Sequence, residues 1–176
     1  MLKFLLKLFI ICFAVNIFSI SILCASGKYD ENEVIAAFVY NISKFIKWDK
    51  NKREILINVI GDKQVEKCFG MLDSRKSGNL RIKIYFKKSI RNLKGFDILY
   101  IDKSYKNKIN LETLKSFVPN YKIFTCSNIK GFADNIGILE FYKERNRIRF
   151  KINIAKLKKS GIFLSSKVLE LAKIVK

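Results

Sequence analysis

Short apolar runs alternate with helix-patterned segments along the first two thirds of the chain that follows residue 26. Strand patterns occupy residues 55–60, 80–86, 97–101 and 121–125. Helix patterns occupy residues 30–49, 65–72 and 111–118. Because a helix between two strands packs back on the same sheet, this order favours parallel strands. We predict an α/β fold with a mostly parallel central sheet flanked by helices.

The last third of the chain has a different pattern. Residues 138–142 and 147–152 alternate apolar and polar side chains across a charged turn, which predicts a C-terminal antiparallel hairpin. A short helix over 154–159 and a final helix from Ser165 or Ser166 through Val175 follow. No linker-like segment interrupts the chain, so we predict one domain over residues 27–176.

The first 26 residues have the composition of an export signal. Lys3 and Lys7 precede an almost wholly apolar stretch over residues 9–23, and Cys24 and Ser26 supply small side chains before Gly27. This pattern predicts a signal peptide over residues 1–26, cleaved after Ser26, and a periplasmic location. Two alternatives are an uncleaved membrane anchor, for which the stretch is short, and lipidation of Cys24.

The charge of the chain is strongly basic, with 35 Lys and Arg against 15 Asp and Glu. The formal net charge of +20 falls to +18 once Lys3 and Lys7 are removed. Because the basic residues are scattered along the sequence, a solvated lysine surface explains them, and we expect no nucleic-acid partner. The alternative is an exported basic module that binds anionic polymers or lipids.

Histidine does not occur in the sequence. This removes the usual general base at neutral pH, the usual partner of a catalytic serine and the commonest zinc ligand. We therefore predict a protein that is not an enzyme, with no catalytic, cofactor-binding or metal-binding residues. An enzyme or solute receptor of another type would need a deep pocket with converging polar groups.

Two cysteines, Cys68 and Cys126, remain after residue 26. An even number of cysteines in an oxidising compartment is typical of a disulfide, so these two form a candidate pair. Two free buried thiols are the alternative.

Four residues are candidates for contact with a partner. Gly131, Phe132 and Asp134 belong to a loop over residues 131–137, where an α/β sheet often binds ligands. Trp48 ends the first helix, and aromatic side chains are favoured at binding hot spots. The alternatives are a simple turn with Phe132 in the core, and core packing for Trp48.

Asp62 presents a similar choice between a ligand contact and a cap on the next helix, and the cap is the favoured interpretation.

Several short segments, in order over residues 33–175, resemble the YfiR-like family of exported bacterial proteins. They are AAFVYNISKFIKW (36–48), NVIGD (58–62), ILYI (98–101), KGFA (130–133), IRFKIN (148–153) and the ending over residues 161–171.

The resemblance implies a periplasmic regulator that controls a membrane-bound sensor, such as a diguanylate cyclase, by binding its periplasmic part. It also implies a homodimer and stabilisation by disulfides. One departure is that Lys94, Gly95 and Phe96 stand where family members often carry a cysteine, so the disulfide pattern differs here.

Overall fold

The computed structural model of the chain describes residues 30–117 and 122–176. The predicted signal peptide, residues 1–26, lies outside these ranges. No helix within them has the length and apolar character that a membrane crossing needs.

Six α-helices and eight strands are numbered here in chain order within the described residues. The helices are α1 (Glu31–Ser43), α2 (Lys63–Gly70), α3 (Leu111–Phe117), α4 (Phe132–Asn135), α5 (Ile154–Lys159) and α6 (Ser166–Leu169). The strands are β1 (Glu54–Ile60), β2 (Lys76–Ser77), β3 (Leu80–Tyr85), β4 (Ile98–Ile101), β5 (Phe124–Ser127), β6 (Leu139–Glu144), β7 (Arg147–Asn153) and β8 (Lys173–Val175). A 3-10 helix, Lys103–Tyr105, follows β4.

All eight strands form one sheet in the order β2-β3-β1-β4-β5-β6-β7-β8. The pairs β3–β1, β1–β4, β4–β5 and β5–β6 are parallel. Strands β6 and β7 form the predicted antiparallel hairpin, and β8 pairs with β7 in parallel. The structure confirms the α/β fold with a mostly parallel central sheet.

The sheet is buried on both faces because its central strands alternate apolar side chains toward two separate clusters. One cluster joins Ile57 and Tyr100 to α1 and α2, where Phe69 stacks on Tyr100 at 4.6 Å between ring centroids. The other joins Leu99 to α3 and α4, through Leu114 and Phe132. Burial on both faces explains why β1 and β4 are almost continuously apolar in sequence.

Two predicted helices are much shorter in the structure. The first helix ends at Ser43 instead of continuing to residue 49, since the chain then turns to make an antiparallel bridge from Ile46 to Leu164. The final helix ends at Leu169, and the residues that follow it form β8. Leu171, predicted to face inward on that helix, is 71% exposed.

The physical reason for the last difference is hydrogen bonding. Beyond Leu169, the backbone gains partners along the open edge of β7, where Ile174 pairs with Ile152. Ile174 and Val175 are β-branched, so a strand suits them better than a helix.

Candidate functional site

Polar side chains at the carboxyl ends of the central parallel strands cap the helical segments that follow them. Asp62 accepts hydrogen bonds from the backbone N–H groups of Gln64 and Val65, both at 3.0 Å, so it is the predicted helix cap. Asp102 accepts from the backbone N–H of Ser104 at 2.8 Å and from Asn128 Nδ2 at 2.8 Å. Both carboxylates are therefore occupied by the local fold.

Tyr100 also belongs to this polar cluster. Its hydroxyl donates to Asp102 Oδ2 at 3.2 Å. Burial raises the pKa of Tyr100 well above its usual value, and the neighbouring Asp102 raises it further. Asp97 lies at the opposite end of β4, where it accepts from the Leu56 N–H and pairs with Lys52. In the part of the chain that the structure describes, no three His, Cys, Asp or Glu side chains are grouped as metal ligands.

The predicted loop over residues 131–137 contains the short helix α4. Gly131 begins it with φ +83°, a left-handed conformation that favours glycine. Phe132 is fully buried and packs with Leu99 and Leu114, so it is a core residue and does not present a surface for a partner. The alternative of a turn with Phe132 in the core describes this segment.

A buried carboxylate holds α4 against the hairpin. Glu140, on β6, has a side chain that is 3% exposed, and its Oε2 accepts from the Ala133 N–H at 3.1 Å. Lys151, on β7, pairs with Glu140 at 3.2 Å and with Asp134 at 2.6 Å. Desolvation lowers the pKa of Lys151, but its hydrogen bonds to Asp134 and Glu140 outweigh that effect and raise it.

Two further side chains donate to the backbone carbonyl of Ala133. Asn153 Nδ2 lies 3.0 Å from this oxygen and Lys156 Nζ lies 2.9 Å from it. Desolvation lowers the pKa of Lys156. Asp134 is exposed, but through its ion pair with Lys151 it belongs to the set of polar contacts that holds α4 in place.

A groove of about 540 Å³ opens beside this network, above the end of β5. We call it the carboxyl-edge groove. Its charged lining residues are Glu31, Lys103, Lys130, Glu140, Lys143, Lys151 and Lys173. Strand β5 ends at Ser127, opposite Glu140, so the part of β6 beyond Glu140 extends past its neighbour and borders the groove.

Trp48 lies at the other end of the sheet. Its Nε1 donates to the backbone oxygen of Ser43 at 2.8 Å, and its half-buried ring packs against the main core. It lines a cavity together with Asp97, which precedes β4. Gly131 and Asp134 follow β5 at its carboxyl end, so the structure does not bring the four predicted partner-binding residues together.

Two aromatic side chains near Trp48 are exposed to solvent. Phe45 is 40% exposed and Phe163 is 70% exposed. They flank the bridge between Ile46 and Leu164, where the Lys47 N–H donates to the Phe163 carbonyl and the Ser165 N–H donates to the Phe45 carbonyl. We call Phe45 and Phe163 the aromatic surface.

Both cysteines are free thiols in the structure, so the candidate disulfide between Cys68 and Cys126 is not formed there. Cys68 lies on α2, where its Sγ is 3.9 Å from Asp30 Oδ2. Cys126 lies inside β5 and donates to the Leu99 carbonyl at 3.5 Å. The two thiols lie on different elements and contact different partners. The alternative of two free buried thiols therefore describes the structure.

Neither thiol is expected to react readily in the folded protein. Burial raises the pKa of Cys68, with a further contribution from Asp30, and burial alone raises the pKa of Cys126 far above its usual value. Because the thiolate is the reactive species, a maleimide should label a chain that begins at Gly27 only slowly at neutral pH. In denaturant without reductant, both cysteines should label at once. Protection that persists in denaturant until a reductant is added would instead establish a disulfide.

Sequence reasoning missed the Glu140–Lys151 pair and the carboxyl-edge groove. Glu140 and Lys151 occupy the polar positions of a hairpin, where charged side chains ordinarily face solvent, and only α4 packing on that face buries them. The groove joins residues that are distant in sequence. A basic segment over 143–151 was the available signal.

The chain is similar to several solved structures. A search of curated proteins finds no match. Among eight matching chains of solved structures is a conserved domain protein from Vibrio cholerae O1 biovar El Tor, with a TM-score of 0.49 and 11% sequence identity. The match covers 83% of this chain and 60% of that chain, so the present protein spans less than two thirds of the length of that chain.

A comparison with family models gives a match over most of the chain. The model described as YfiR/HmsC-like matches residues 32–173, which include every helix and strand described above except the first residue of α1 and the last two residues of β8. The segments that resembled the YfiR-like family in sequence all lie within or across this range. The chain belongs to the YfiR/HmsC-like family.

Proposed function

We propose that the protein is a periplasmic regulator that controls a membrane-bound sensor, such as a diguanylate cyclase, by protein–protein interaction. The family match over residues 32–173 carries this proposal. The export pattern of residues 1–26 supports a periplasmic location. The resemblance also supports a homodimer and a role that is not enzymatic.

Regulation by binding requires different affinities for two states of the sensor. A protein that binds the inactive conformation more tightly shifts the sensor toward it, and equal affinity for both states shifts nothing. The surface that contacts the sensor must therefore be accessible in this protein.

We place that contact at the aromatic surface. Phe163 and Phe45 expose large apolar side chains, and truncation of aromatic hot spots commonly costs about 2 kcal/mol or more of binding free energy. Trp48, three residues after Phe45, is half-buried and packs against the main core. The occupant we propose is the periplasmic part of the sensor, because the family match supports a protein partner.

Crosslinking in cells tests the partner directly. The tagged protein should capture an inner-membrane protein that combines a periplasmic sensor domain with a cyclase output, identified by mass spectrometry. Capture of anionic polymer, lipid or abundant background alone would argue against a regulator that binds a sensor.

The Phe163→Ala variant tests the proposed surface. We expect it to bind the captured sensor at least about tenfold more weakly, because it loses an exposed aromatic anchor. Leu171→Ala is the matched control, since Leu171 is 71% exposed but lies outside the aromatic surface. Equal binding by the Phe163 variant and the unaltered protein would remove the aromatic surface from the account.

A further inference from the structure

We infer that the carboxyl-edge groove is a binding site for an anion that carries at least two phosphate groups. Five lysines and two glutamates supply the charged side chains of the groove. Its volume of about 540 Å³ falls in the range of small-molecule sites, about 300–1,000 Å³. The inference does not depend on the regulatory function proposed above.

The glutamates in the groove are already neutralised. Lys103 Nζ lies 2.9 Å from Glu31 Oε1, and Lys151 Nζ lies 3.2 Å from Glu140 Oε2. Within the described residues, Lys130, Lys143 and Lys173 have no acidic side chain at ion-pair distance. The groove lining therefore has three lysines without an acidic partner, and its net charge stays positive even when Asp134, which shares Lys151 with Glu140, is counted.

These charges come from separate elements that meet at one end of the sheet. Lys130 follows β5, Lys143 lies on the part of β6 that extends past β5, and Lys173 begins β8. This is the edge of the sheet at which the parallel strands β4 and β5 end. Open α/β sheets bind ligands at the carboxyl ends of their parallel strands.

The chemistry of the lining favours phosphate. A lysine ammonium is a compact point charge with three donors, and it binds phosphate oxygens without the fixed fork geometry of arginine. The groove contains no arginine, while Asn128 and Tyr142 add neutral polar groups. Three separate ammonium groups match an anion with several charged oxygens better than a single carboxylate.

Two sources supply such chemistry: a soluble phosphorylated molecule and the headgroups of an anionic lipid surface. Inorganic pyrophosphate is the soluble probe, measured by isothermal titration calorimetry. Vesicles of phosphatidylglycerol in phosphatidylcholine are the surface probe, measured by co-sedimentation. Lys130→Gln/Lys173→Gln removes two exposed groove charges. Lys50→Gln/Lys94→Gln is the matched control, because it removes two exposed lysines near the opposite end of the sheet.

We expect pyrophosphate to bind the unaltered protein and the control variant alike, and the groove variant about tenfold or more weakly, since two charged hydrogen-bonding partners are lost. If only pyrophosphate binding depends on Lys130 and Lys173, the natural anion is soluble. If vesicle binding falls in parallel, the site also takes lipid headgroups. Circular dichroism establishes that both variants are folded.

Three results would overturn the inference. The first is no pyrophosphate binding by the folded, unaltered protein at low salt. The second is an equal loss of binding in the groove and control variants, which would assign the attraction to the diffuse charge of the whole protein. The third is unchanged pyrophosphate binding in the groove variant; if that variant also lost sensor capture, these lysines would be assigned to a protein partner.

Discussion

Lys151→Ala is expected to lower the free energy of unfolding by about 3–5 kcal/mol, the usual cost of removing one partner of a buried ion pair. The Glu140 side chain is only 3% exposed, and Lys151 is the cation beside it. Without Lys151, the carboxylate keeps its hydrogen bond from the Ala133 N–H but loses its neutralising charge. Chemical denaturation followed by circular dichroism measures the change. Against a typical stability of about 5–15 kcal/mol, such a loss is large.

Two further variants test the cause of this loss. Adding Glu140→Gln to Lys151→Ala should recover more than half of the lost free energy, because the buried charge is then removed while an oxygen still accepts from Ala133. Lys143→Ala, an exposed position on β6, should change stability by less than about 0.5 kcal/mol. A Lys151→Ala protein as stable as the unaltered one would show that Glu140 does not need a cation.

Gly137→Ala should destabilise the protein by about 3 kcal/mol, at the upper end of the usual cost of overpacking a core. An added Cβ would lie 2.0 Å from Phe132 Cε1 and 2.7 Å from Thr125 Oγ1. Phe132 and Thr125 are fully buried, so neither side chain can move away freely. Thermal and chemical denaturation should both detect the loss.

Gly70→Ala is the control for this effect. Its added Cβ would have Phe86 Cζ, at 3.8 Å, as its nearest contact, and the position ends a helix, so we expect unchanged or slightly higher stability. Combining Gly137→Ala with Phe132→Leu should cost less than the sum of the two single changes, because the smaller side chain makes room for the methyl group. Strict additivity would contradict contact between these two positions.

The order of strands and helices was predictable because it is a local property of the sequence. Residues 55–60 have the continuous apolar pattern of a buried strand because both faces of β1 are covered. Asp62 has a side chain suited to capping a helix, and it caps the start of α2. The predicted final helix was too long because residues 170–175 continue a helical pattern in the sequence. The pairing of Ile174 with β7 is a tertiary contact, which that local pattern does not indicate.

The candidate site was less predictable for the same reason. Phe132 and Trp48 have the residue types of a binding surface, but burial of Phe132 depends on how α4 packs beneath the sheet. The exposure of Phe163 likewise depends on a bridge from Leu164 to Ile46, more than 100 residues away in sequence. The sequence pattern of a single segment gives no information about contacts between residues so far apart in the chain.

Cyclic di-GMP in cells tests the central claim most directly, since we propose that the protein controls a membrane-bound cyclase from outside the cytoplasmic membrane. Cells that produce the full chain should differ in cyclic di-GMP from cells that lack it. A version without residues 1–26 should leave the level unchanged, and Phe163→Ala should weaken the effect of the exported chain. An unchanged level with the full chain, or an equal change with the version that stays inside, would contradict the proposed periplasmic regulation.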